Sequence, residues 1–180
     1  LFLIAAYQSM ASLSIVDPKQ FVSAVSINLF TIKEEIINEY PDEVVESLCF
    51  VIKKVPEFME TKIKELKDIS KSLISHPRSA FILLNSILKY FGTKVLPIEN
   101  DFIQTLMELP FSPEYRDFFI SFTNCPNSFA LDFPVKLNQR LLNELKTKAP
   151  VDAIELIAKL PSNAFVSQSL ILSELNEQTT

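Results

Sequence analysis

One glycine in 180 residues, Gly92, against eleven prolines, is the feature that most narrows what this chain folds into. Primed β-hairpin turns, dinucleotide-binding fingerprints and phosphate-binding loops each need glycine for their backbone geometry. Proline punctuates the chain instead. It is tolerated at the first position of a helix, where its missing N–H has no intrahelical bond to make. The pattern therefore predicts helices broken at their ends, and no strand.

The stretch from Pro113 to Pro134, PEYRDFFISFTNCPNSFALDFP, shows the plan most clearly. Tyr115, Phe118, Phe119 and Phe122 recur at helical spacings and form one apolar stripe, roughly 100° wide. Pro113 suits the first helical position, and Glu114 and Asp117 lie toward the positive end of the helix dipole. This helix is expected to reach about Asn124.

Read in order, Leu1 to Val16 is expected to be a first, buried helix. It carries no charge before Asp17, but it lacks the basic start of a signal peptide and is shorter than the ~20 apolar residues of a membrane span. Asp17-Pro18 opens a helix to about Tyr40, with Phe21, Val25, Leu29, Ile32, Ile36 and Tyr40 on one face and Ile27, Phe30 and Ile37 on the other. Pro41-Asp42-Glu43 restarts the chain, with Val44, Leu48, Val51, Ile52 and Val55 as the next stripe. Pro56-Glu57 starts a long helix to about Ser75, with Met59, Ile63, Leu66 and Leu73 inward. Its opposite face carries Glu60, Lys64, Lys67 and Lys71, with Glu60 and Lys64 spaced for an i,i+4 pair.

After His76-Pro77, Ala80, Leu84, Ile87, Leu88 and Phe91 form a helix ending at Gly92, the natural left-handed residue. Ile98 to Leu109 follows, with Phe102, Leu106 and Leu109 and a cap at Asn100 or Asp101. Beyond Pro134, Leu141, Leu142 and Leu145 belong to a helix to about Lys148. Pro150-Val151-Asp152 begins a short one with Ile154, Ile157 and Ala158 inward. Pro161-Ser162 begins the last, with Phe165, Val166, Leu170 and Leu175.

Taken in pairs, the helix starts near 18 and 41, 56 and 77, 98 and 113, 134 and 151 recur about every forty residues, the period of HEAT or armadillo-like repeats. The fold class expected is all-α: a right-handed α-solenoid of HEAT/armadillo-like helix pairs over residues 1–180, one repeat segment of something longer. A compact helical bundle gives similar stripes. The even spacing of the proline restarts favours the solenoid.

Hydrophobic residues make up 48% of the chain, including fifteen Phe, ample for a core. A net charge of −5 argues against a nucleic-acid surface. Cys49 and Cys125 match no metal or redox spacing and read as buried free thiols of a reducing compartment. His76, the single histidine, stands at a helix break and reads as a capping or loop residue. No nucleophile motif surrounds it, and one histidine builds no histidine metal cluster. The acidic pairs Glu34-Glu35, Asp42-Glu43 and Asp152/Glu155 lie in first turns or on polar faces, where acids belong. The expectation is no catalytic residue, no cofactor and no metal site. Lys64, Lys67 and Lys71, with Lys53 and Lys54 near in sequence, are the candidate partner-binding residues, suited to an acidic protein surface. The simpler reading is a solvated face balanced by Glu57 and Glu60. One or two exposed phenylalanines would suffice to bind the Phe side chains of a partner.

At PEYRDFF, Pro113 to Phe119, followed by CPNSFALDFP, Cys125 to Pro134, the chain resembles the importin-β superfamily of nuclear transport receptors, nearest to its exportin branch. HPRSAFILLNSILKYFGTKVLPIENDF, His76 to Phe102, is similar to the transportin–importin branch. The resemblance spans about sixty residues. It implies a protein of nucleus and cytoplasm that carries cargo proteins, answers to the Ran GTPase and touches Phe-Gly nucleoporins. No position matches the family's Ran-binding repeats or cargo groove. Two alternatives stand beside it. One is a helical-repeat scaffold of a coat, cytoskeletal or complex-assembly type. The other is an all-α enzyme or a lipid- or ligand-binding domain with its site in a helical cavity.

Overall fold

The computed structural model describes Ser9, Phe30 and residues 32–95, 98–125, 133–146 and 150–160, and all its regular structure there is helical. The helices expected over Leu1–Val16 and from Pro161, and most of the one opened by Asp17-Pro18, lie outside the described residues. Two compact units divide the chain, Leu1–Val95 and Leu96–Thr180.

In the first unit α1 is Glu34–Glu39, α2 Pro41–Lys54, α3 Pro56–Glu60, α4 Ile63–Ser72 and α5 Pro77–Phe91, followed by a 3₁₀ turn, Gly92–Val95. α2 follows its sequence closely. Pro41 sits in its first turn with Asp42 and Glu43, while Lys53 and Lys54 occupy its last, so both ends complement the helix dipole. Val44, Leu48, Val51, Ile52 and Val55 are all buried, as their spacing predicts.

Three expectations in this unit are corrected. The helix expected to run unbroken to Tyr40 is interrupted before Glu34. Lys33 is extended, and its carbonyl accepts from the N–H groups of Ile36 and Ile37 to start a new helix led by Glu34 and Glu35. Of that segment Ile37 is buried, while Ile32, Ile36 and Tyr40 are half-buried.

The single helix expected from Pro56 to Ser75 is two. Thr61 donates both its N–H and its hydroxyl to the Phe58 carbonyl, and Lys62 N–H reaches back only to Met59. These i−3 bonds tighten the backbone into a turn, aided by a hydroxyl that competes for the ladder. Met59, Leu66 and Leu73 remain buried, but Ile63 is half-buried. The break also removes Glu60 and Lys64 from a common helix, and Glu60 pairs with Lys94 at 2.6 Å instead.

Gly92 ends α5 as expected, at a different geometry. Its φ of 53° is positive, but ψ is −129°, far from the left-handed helix and open to little besides glycine.

α1 packs on α2 and α4, α2 on α3, and α5 on both α2 and α4. Asp42 of α2 accepts from Ser79 Oγ of α5 across a separation of 37 residues. Ser86 lies close enough to Cys49 to favour its thiolate, the same separation further along both helices. A constant offset means that α2 and α5 run parallel and in register, since antiparallel helices would hold the sum of residue numbers constant instead.

In the second unit α6 is Asn100–Glu108, α7 Pro113–Thr123, α8 Phe133–Lys146 and α9 Pro150–Lys159. The cap position of α6 is Glu99, so Asn100 and Asp101 fall inside the helix as its first residues. Ser112 caps α7, its hydroxyl accepting from Tyr115 N–H at 3.1 Å. Tyr115, Phe118, Phe119 and Phe122 are wholly buried. Their rings form a ladder with centroids 4.5–5.6 Å apart, continued by Phe111. Tyr115 donates its hydroxyl to the Met107 carbonyl at the end of α6, 3.3 Å away. α9 packs on both α8 and α7. Arg140 of α8 reaches the Leu109 carbonyl beyond α6. Leu141 is buried and Leu142 half-buried, while the Leu145 side chain lies outside the described residues.

α9 buries a different face from the one expected. Ala153, Leu156 and Leu160 are inside, Ile157 is half-buried, and Val151, Ile154 and Ala158 are exposed. Its apolar arc is wider than two neighbouring helices cover, so the stripe alone does not tell which part is buried.

Pro41, Pro77, Pro113 and Pro150 each stand at the start of a helix of this kind, at intervals of 36, 36 and 37 residues.

Candidate interaction surfaces

Among the described residues the buried polar side chains are Ser47, Ser70, Ser79 and Thr123. Ser47 donates to the Glu43 carbonyl at 2.8 Å, Ser70 to Leu66 at 2.9 Å, Thr123 to Phe119 at 2.6 Å, and Ser79 to Asp42. Each satisfies itself on its own helix or on the helix packed against it, as buried hydroxyls must.

The first surface is the lysine face of α4. Lys64, Lys67 and Lys71 lie at helical spacing on one side. Lys64 is exposed, whereas Lys67 and Lys71 are half-buried and already engaged. Beside them Lys62 pairs with Glu65 at 2.9 Å, and its ammonium holds the Glu65 carboxyl below the usual carboxylate range. Lys53 and Lys54 are exposed in the last turn of α2, with Lys54 over the Phe50 ring at 5.6 Å. His76 takes the cap position of α5, but its side chain makes no cap hydrogen bond.

The second surface is the outward side of α9. At 100° per residue, Val151, Ile154 and Ala158 fall within an arc of about 60°. Val151 is 67% exposed and Ile154 44%. Along one edge Glu155 pairs with Arg116 of α7, which also contacts Asp117. The Arg116 side chain is only 18% exposed, so this pair is a clamp between helices as much as a rim. It crosses 39 residues, close to the 37 of the Asp42–Ser79 link in the first unit.

Glu34 and Glu35 are exposed in the first turn of α1, and Asp42 and Glu43 open α2, so these acids serve helix starts. Among the described residues no phenylalanine ranks with the exposed large hydrophobics, which are Tyr90, Val151 and Ile154. Among the described residues, too, no group of three or more His, Cys, Asp or Glu is placed to hold a metal ion, and no helix is long and apolar enough to cross a membrane.

Periodicity marks the lysine face but not the Lys62–Glu65 pair beside it, nor the break at Thr61 that hands Glu60 to Lys94. The α9 surface and the Asp42–Ser79 and Arg116–Glu155 links are further features that stripes do not reveal. The signal that points to the links is the near-constant interval between Pro41, Pro77, Pro113 and Pro150. No protein-family model, curated protein or solved structure matches the chain.

Proposed function

We propose that this chain is a protein-binding helical-repeat scaffold that works by surface complementarity and not by chemistry. The observation that supports it is the order of helix contacts in the first unit. There α1 pairs with α2 and α4 with α5, while first stacks on first (α1 on α4) and second on second (α2 on α5). An up-and-down bundle packs sequence neighbours antiparallel all round, whereas stacked hairpins place like helices parallel and one repeat apart. The 37-residue offset held by Asp42–Ser79 and Cys49–Ser86 fits the second arrangement. The second unit adds the same habit in α7 and α9, joined by Arg116 and Glu155. Repeat arrays of this kind present extended surfaces to protein partners.

Within that class we infer a nuclear transport receptor as the first reading. It rests on the likeness of PEYRDFF and CPNSFALDFP to the exportin branch, and residues 126–132 of that likeness lie outside the described residues. The test is retention of the protein on immobilised Ran loaded with GTP or with GDP. Retention on the GTP form alone is the expected result. Equal or absent retention of folded protein removes nuclear transport and leaves a scaffold of coat, cytoskeletal or complex-assembly type.

A further inference from the structure

No further inference is drawn: the strongest candidate, the exposed apolar side of α9 formed by Val151, Ile154 and Ala158, belongs to a surface already described, and nothing in the structure shows what covers it.

Discussion

Each unit packs one proline-started helix on another that starts 36 or 37 residues later, and the two fill that contact with different side chains. In residues 1–95 the helices α2 and α5 pack on each other; α2 buries the aliphatic Val44, Val45, Leu48, Val51 and Ile52, and α5 buries Ala80, Leu83, Leu84, Ile87 and Leu88 together with Phe81 and Phe91. In residues 96–180 the corresponding helix α7 is aromatic along its buried side, and α9, packed on it, buries Ala153 and Leu156. Charge divides as well. Lys and Arg equal Asp and Glu in residues 1–95, eleven of each, and the remaining six against eleven place the whole net charge of −5 in residues 96–180. The comparison teaches that proline starts 36 or 37 residues apart recur in both units, while side-chain volume and charge vary between them. A mostly aliphatic face and an aromatic ladder packed against Ala153 and Leu156 are two ways to fill a helix contact.

The largest test of that statement is truncation in each core. Phe119→Ala is expected to cost about 3–5 kcal/mol and Leu84→Ala about 2–5 kcal/mol, because both sites are fully buried and tightly surrounded. Urea midpoints measured for the two variants check this. A loss below about 1 kcal/mol for Phe119→Ala would mean that the ring ladder is peripheral and the second unit packs by other residues.

Next in size is Gly92→Ala, at the end of the first unit. An added Cβ meets no atom within 4 Å, so sterics with neighbours are not the issue. The cost is conformational, about 1–3 kcal/mol for an alanine held at φ 53° and ψ −129°. The same exchange at a helix interior stabilises by about 0.5–1 kcal/mol. The sign of the change in thermal midpoint therefore decides. A rise would show α5 running on into the 3₁₀ turn.

How much of this was legible beforehand follows the same division. Helix starts at Pro41, Pro56, Pro77, Pro113 and Pro150 were readable because proline fixes φ and lacks a donor, a property of one residue. The stripes of α2, α5 and α7 were readable because each is bounded by polar positions. The break at Thr61 was not, since no glycine or proline marks it and the competing hydroxyl bond forms only in the folded turn. The buried face of α9 was not, since Val151, Ile154, Ile157 and Ala158 satisfy helical spacing as well as Ala153, Leu156 and Leu160 do. Of the candidate surface, the sequence shows that Lys64, Lys67 and Lys71 share a side. Which of them stays open depends on neighbours no local pattern encodes.

Helix starts give a finer contrast between α7 and α5. The cap positions of α2, α3 and α5 in the first unit, Tyr40, Val55 and His76, and of α6 in the second, Glu99, provide no side-chain cap bond, whereas Ser112 caps α7. Ser112→Ala is expected to lose about 1 kcal/mol. His76→Ala should stay within about 0.5 kcal/mol, as its side chain serves no cap. Comparable losses from both would show that the His76 ring supports the start of α5 in some other way, and would erase this difference.

The smallest effect in free energy, and the sharpest on register, lies in the two thiols. Burial pushes the Cys49 thiol above its ordinary range, with Ser86 beside it working the other way, and burial alone pushes Cys125 up. A thiol with a raised folded pKa keeps its proton after the unfolded chain has released it. Its stabilising contribution is therefore complete below the unfolded value of about 8.5 and is lost as pH rises through the folded value. Alkylation by iodoacetamide should accordingly rise at higher pH than for an unfolded thiol. Both thiols are half-buried, where the sequence suggests full burial. Cys49, beside Ser86 of α5, should react more slowly than Cys125, whose thiol donates to the Ser121 carbonyl in the last turns of α7. Ser86→Ala removes the one contact that favours the Cys49 thiolate, so it should shift that profile further upward and leave Cys125 unchanged. No response of Cys49 to Ser86→Ala would remove one of the two links that set the α2–α5 register, leaving Asp42–Ser79 alone to carry it. With only one link, the constant offset on which the proposed repeat reading rests would be lost.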